Sequence, residues 1–116
     1  MLAVGAVSCD LRRAKFSNTG THIGACAPGV HILSTLPMKR SAARQETEYA
    51  AWDGTSMATP HVAGAAALYC GLNSAASAMD VKAAITKACR KVPEMGSKGF
   101  TPSFGSGIID LTKLLS

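Results

Sequence analysis

Aromatic side chains are scarce in this sequence of 116 residues: one Trp, two Tyr and three Phe. None is interleaved with the short basic clusters Arg12-Arg13-Lys15, Lys39-Arg40 and Arg90-Lys91, and no nucleic-acid motif occurs. The formal net charge of +5 therefore reads as a solvated basic surface rather than a nucleic-acid groove. Long apolar runs are missing too. The opening run, Met1-Leu2-Ala3-Val4-Gly5-Ala6-Val7, has no positive leader and is too short for a signal segment or a membrane span, so it reads as a buried strand. Neither nucleic acid nor a membrane is expected as a partner, and no compartment can be read. Cys9, Cys26, Cys70 and Cys89 include no C-x-x-C pair and no Cys/His spacing of a zinc site. Cys70 and Cys89 can approach if two helices pack together, and buried free thiols account for all four equally well.

What is present suffices for one domain with a real core, at 47% hydrophobic content. Its organising stretch is Gly54-Thr55-Ser56-Met57-Ala58-Thr59-Pro60-His61-Val62-Ala63-Gly64, followed by Ala65-Ala66-Ala67-Leu68. Thr and Ser are good helix-starting types and the run after them is apolar, so a helix is expected from near Ser56. Pro60 is compatible with its first turn and would break it further in. Small residues on every side predict a helix packed all round in a domain centre. Ser56 then stands at the positive end of that helix, where free N–H groups stabilise an oxygen becoming an anion, as acyl transfer requires.

The eleven residues from Gly54 to Gly64 resemble the nucleophile signature of the subtilisin-like serine endopeptidases. The resemblance extends through Ala3-Val4-Gly5-Ala6-Val7, Phe16-Ser17-Asn18, Ala27-Pro28-Gly29-Val30, Ser34-Thr35-Leu36-Pro37 and Gly105-Ser106-Gly107-Ile108-Ile109-Asp110. It implies an α/β fold, with residues 1–116 forming the C-terminal portion of a parallel-sheet peptidase domain around a central buried helix. It also implies a polypeptide substrate, an acyl-enzyme on Ser56 and oxyanion support from Thr55. The family carries its base in an His-Gly-Thr motif, its acid in an Asp-Thr/Ser-Gly motif and an oxyanion Asn upstream, and this chain contains neither motif. The chain alone is thus expected to be inactive and to fold poorly without the missing N-terminal part of the domain as partner. The alternative is a non-catalytic binding or scaffold module derived from the same family. No cofactor is implied. No metal site is expected either, because His22 and Gly24 stand where relatives that bind a cation use acids.

Along the chain, residues 2–7, 23–26 and 30–36 are expected as strands, with a polar turn over residues 8–15 and His22 and His31 on the surface. Residues 38–53 form the most polar stretch, with Lys39, Arg40, Arg44, Glu46 and Glu48. They look longer than the corresponding loop of compact relatives, and either border the substrate cleft on the leaving-group side or form a solvated loop. Trp52 and Asp53 stand where relatives place substrate-contacting residues, and the only Trp either packs on a peptide chain or closes the core edge. His61 lies about 7.5 Å and about 140° along a helix from Ser56, so it is expected to pack rather than act as base. Ser77 with Asp80 forms a capping box opening a helix through residue 88 or 89 with Val81, Ala84, Ile85 and Ala88 on one face. Asp110 can cap a short terminal helix over residues 111–115.

Overall fold

The computed structural model describes residues 1–45 and 47–116; the expectation for Glu46 falls outside them. Two parallel strands, β1 (Ala3–Val7) and β2 (Ile23–Pro28), form the sheet, with partners running from Ala3↔Ile23 to Val7↔Pro28 and an irregularity between Ala3 and Val4. Ile108 widens it beyond β2, bridging Cys26 in parallel and Arg90 in antiparallel fashion. Alternating side chains split between two cores, as strand geometry requires. Val4, Ala6, Ala25 and Ala27 face the helices, while Val7, Ile23 and Cys26 face Val92, Met95, Phe104 and Ile108. β1 is covered on both faces, as its unbroken apolar character implies.

Gly105 and Gly107 explain how the late segment comes so close to β2. A Cβ on Gly105 would lie 2.6 Å from the Ile23 carbonyl oxygen, and one on Gly107 would collide with the Arg90 carbonyl. Their φ values of 57° and 121° also disfavour side chains.

A hairpin stands apart from this sheet. β3 (Ile32–Leu36) pairs antiparallel with β4 (Glu48–Trp52), from Ile32↔Trp52 to Leu36↔Glu48. The stretch expected as a polar loop is therefore partly a strand, closed toward its tip by a bridge between Ser41 and Arg44. Most of the hairpin is exposed, so burial left no apolar alternation in β4 to reveal it.

The long helix α1 (Thr55–Leu72) starts where expected, but Pro60 lies inside it rather than in its first turn. Proline removes the N–H that would bond the Ser56 carbonyl. Two side chains reinforce the turns beside it: Thr59 Oγ1 donates to the Thr55 carbonyl at 2.9 Å, and His61 Nδ1 donates to the Met57 carbonyl at 3.0 Å. The helix runs on to Leu72 regardless. Within this chain Ala58, Val62 and Ala65 are the fully buried residues of α1. One face lies on the sheet, while a Cβ on Gly64 or Gly71 would meet nothing within 4 Å. No described element covers that second face.

Helix α2 (Ala78–Ala88) has the full capping box: Ser77 Oγ accepts from the Asp80 N–H at 3.2 Å, and Asp80 Oδ2 accepts from the Ser77 N–H at 2.9 Å. Ile85 and Ala88 are its buried residues, joined by the half-buried Val81 and Ala84. A 3-10 turn, Pro93–Met95, interrupts the loop that follows, and α3 (Leu111–Leu115) is capped by Asp110, which accepts from the Lys113 N–H at 3.1 Å. Although α1 and α2 pack together, Cys70 and Cys89 form no disulfide, and all four cysteines are free thiols. Among the described residues no helix is long and apolar enough to cross a membrane.

Candidate active site

Strand β2 ends at Pro28, and Gly29 then supports the turn that opens α1. Gly54 donates its N–H to the Gly29 carbonyl at 2.8 Å. Its own carbonyl accepts from the Met57 N–H at 3.0 Å and the Ala58 N–H at 3.3 Å, which begins the helix. Thr55 and Ser56 occupy the first two helical positions, so their N–H groups have no intrahelical acceptor. Gly54 supplies no side-chain cap and the first turn contains no acid, so nothing in this turn offsets the positive end of the helix.

Ser56 is exposed at that end. It lines an open cavity of roughly 350 Å³ with Met57, Pro60 and His61 from α1 and Ile32, Leu33 and Ser34 from β3. The β3 wall was missed in the sequence, where residues 30–36 read only as a strand; Leu33, 69% exposed, carries no signal of its position beside a serine. His61 is exposed as well, contrary to the expectation of a packing residue, because it lies on part of α1 that no described element buries. It shares the cavity with Ser56, but its Nδ1 is committed to the Met57 carbonyl.

Trp52 ends β4 opposite Ile32 and is 40% exposed, so it does not close a core edge. The carboxylate of Asp53 accepts the His31 N–H at 2.7 Å, and the exposed His31 ring places Nδ1 4.0 Å from the same oxygen. Neither Trp52 nor Asp53 lines the cavity beside Ser56. Thr55 is half-buried, with its carbonyl engaged by Thr59. Among the described residues no cluster of three His, Cys, Asp or Glu side chains that would hold a metal ion is present.

A parallel sheet backed by a helix whose exposed, uncapped start presents a serine defines an α/β protein of subtilisin-like fold. The chain belongs to the Subtilase family, whose match covers residues 1–107. Subtilisin E of Bacillus subtilis is 54% identical over 67 residues, which are 58% of this chain and 16% of that protein. Subtilisin Savinase of Lederbergia lenta is 38% identical over 109 residues, 94% of this chain and 35% of the relative. Among solved structures, a protease from Pseudoalteromonas arctica superposes with a TM-score of 0.83 at 30% identity, covering 98% of this chain and 34% of the other. Fervidolysin from Fervidobacterium pennivorans, described as a keratinolytic enzyme related to subtilisin, gives 0.82 at 26% identity, with 98% and 18% covered. The chain thus spans only 16% to 35% of the length of these curated relatives.

Proposed function

We propose that this chain is the nucleophile-bearing part of a serine endopeptidase that cleaves polypeptides through an acyl-enzyme on Ser56. The observation that carries this reading is the exposed Ser56 at the second position of α1, beside N–H groups without intrahelical acceptors and with no acid in the turn. Ser56 Oγ gives its proton to the general base as it attacks a scissile carbonyl carbon, and the carbonyl oxygen becomes an anion. The Ser56 N–H and the positive helix end favour that charge, with Thr55 supporting the same site. The C–N bond then breaks, the amine leaves with a proton returned by the general base, and water releases the acyl group. Trp52, exposed on β4 close before Ser56, is the aromatic on which a peptide chain would pack.

The base and its orienting acid belong to His-Gly-Thr and Asp-Thr/Ser-Gly motifs that this sequence does not contain. By itself the chain should therefore hydrolyse no peptide, and activity requires the missing N-terminal part of the domain. The test is labelling by a serine-directed fluorophosphonate after that part is supplied by fusion or co-expression. Replacing Ser56 by Ala should abolish labelling and lower kcat about a millionfold, a figure that comes from subtilisin itself. Labelling that persists in Ser56→Ala would refute the assignment of the nucleophile.

A further inference from the structure

Two hydrogen bonds tie down the turn that delivers Ser56. One joins the backbone of Gly54 and Gly29. The other depends on a single side chain, with Asp53 Oδ1 accepting the His31 N–H at 2.7 Å from the turn between β2 and β3. His31 has φ 54°, a left-handed conformation uncommon for a residue with a side chain, so backbone strain accompanies this contact. The ring of His31 also lies near the carboxylate, but both side chains are solvent-exposed and such an ion pair contributes little. The hydrogen bond to the backbone is the specific element.

Its position matters because Asp53 immediately precedes Gly54, the residue that opens α1. Helix N-termini attract carboxylates, and an unrestrained Asp53 side chain would be drawn to the same N–H groups that an oxyanion needs. Holding Oδ1 on His31 keeps the carboxylate off those donors and fixes the turn leading into Ser56.

We propose that Asp53 is a positioning residue for Ser56, acting as the acceptor that clamps the nucleophile turn to His31 and leaves the start of α1 open to the developing anion. The inference rests on the reading of Ser56 as nucleophile. Asp53→Ala and Asp53→Asn, made in the chain complemented with the missing part of the domain, test it. Three quantities are measured: the maximal rate and half-saturation concentration of fluorophosphonate labelling, hydrogen exchange of the His31 amide, and a thermal melt. Asp53→Ala should cut the maximal rate by about ten- to a hundredfold. Half-saturation should stay within about twofold, because probe binding is not what the clamp changes. Exchange of the His31 amide should accelerate. Asp53→Asn retains an oxygen acceptor and should restore most of the rate and the protection. A wild-type maximal rate in Asp53→Ala, equal slowing in both variants, or slowing that merely follows the unfolded fraction overturns the proposal. If the unsubstituted complex does not label at all, the nucleophile reading fails and takes this inference with it, an outcome recognised by the behaviour of the parent protein.

Discussion

Gly29 and Gly54 meet backbone to backbone: the N–H of Gly54 reaches the Gly29 carbonyl at 2.8 Å, and no space is left for a side chain on Gly29. A Cβ there would lie 2.6 Å from Ala6 Cβ and 2.7 Å from the Gly54 carbonyl oxygen, the oxygen that accepts the first N–H groups of α1. Gly29→Ala should therefore act on the core and the nucleophile turn together. We expect a loss of about 1–3 kcal/mol, as for other overpacked sites, and slower labelling of Ser56 in the folded fraction of the complemented protein. A melting temperature unchanged by Gly29→Ala would contradict the contact.

Gly64 is the opposite case, lying inside α1 with open space around it. With that face open, Gly64→Ala should stabilise the complemented protein by about 1 kcal/mol through helix propensity. Denaturant titration of parent and variant makes the comparison; a loss of stability would mean that another element covers the face.

Burial pushes the thiols of Cys26 and Cys89 up to about 11, whereas Cys9 and Cys70 are exposed. Thiolate is the reactive form, so iodoacetamide at neutral pH should modify Cys9 and Cys70 and spare the buried pair until the protein is unfolded. Mass mapping of the labelled peptides reads this directly. Early modification of Cys26 would argue against the packing around β2.

The capping box gives α2 a pH dependence of defined sign. Hydrogen bonds from the Ser77 hydroxyl and then the Ser77 N–H hold the Asp80 carboxyl below its ordinary value of 3.8. A depressed folded value means that the stabilisation is complete above the unfolded value and is lost as pH falls through the folded one. Melting temperatures measured from about pH 5 downward should fall more steeply in the parent than in Asp80→Asn. Parallel curves would remove Asp80 from the acid response.

His61→Ala should cost little, about 0.5 kcal/mol, because the ring is exposed and its one bond reinforces a helix turn. Fluorophosphonate labelling of Ser56 should survive in the complemented protein. Loss of labelling with an unchanged melt would make His61 part of the proton transfer.

Legibility in the sequence followed the range of the interactions involved. The Ser77–Asp80 box and the Asp110 cap are local hydrogen-bond patterns, and both form where their spacing predicts. β1 could be read because burial on two faces leaves a continuous apolar run. By contrast β4 is held by pairing with β3 across the hairpin, and its largely exposed residues bear no pattern of burial. The Pro60 rule failed because α1 runs through the proline to Leu72, and its packing on the sheet through Ala58, Val62 and Ala65 is a tertiary contribution that a propensity argument does not include. Ser56 was visible as a helix-start serine, but the wall of Ile32, Leu33 and Ser34 facing it is a tertiary relation with no local mark. Within this chain α1 is buried on its sheet side through Ala58, Val62 and Ala65, and no described residue comes within 4 Å of a Cβ on Gly64 or Gly71; cover on that face is a tertiary relation that small side chains permit without specifying.

The bridge between Cys26 and Ile108 has a kinetic meaning. It joins two segments with β3, β4, α1 and α2 between them, so closing it must await that whole intervening stretch. Contacts of such long sequence separation slow folding, because loop entropy is lost before the contact rewards it. During synthesis β1 and β2 emerge before Gly105, Gly107 and Ile108, so the edge that Ile108 bridges stays unfilled in the meantime. That interval leaves an apolar strand edge unpaired, and such an edge is a template for aggregation.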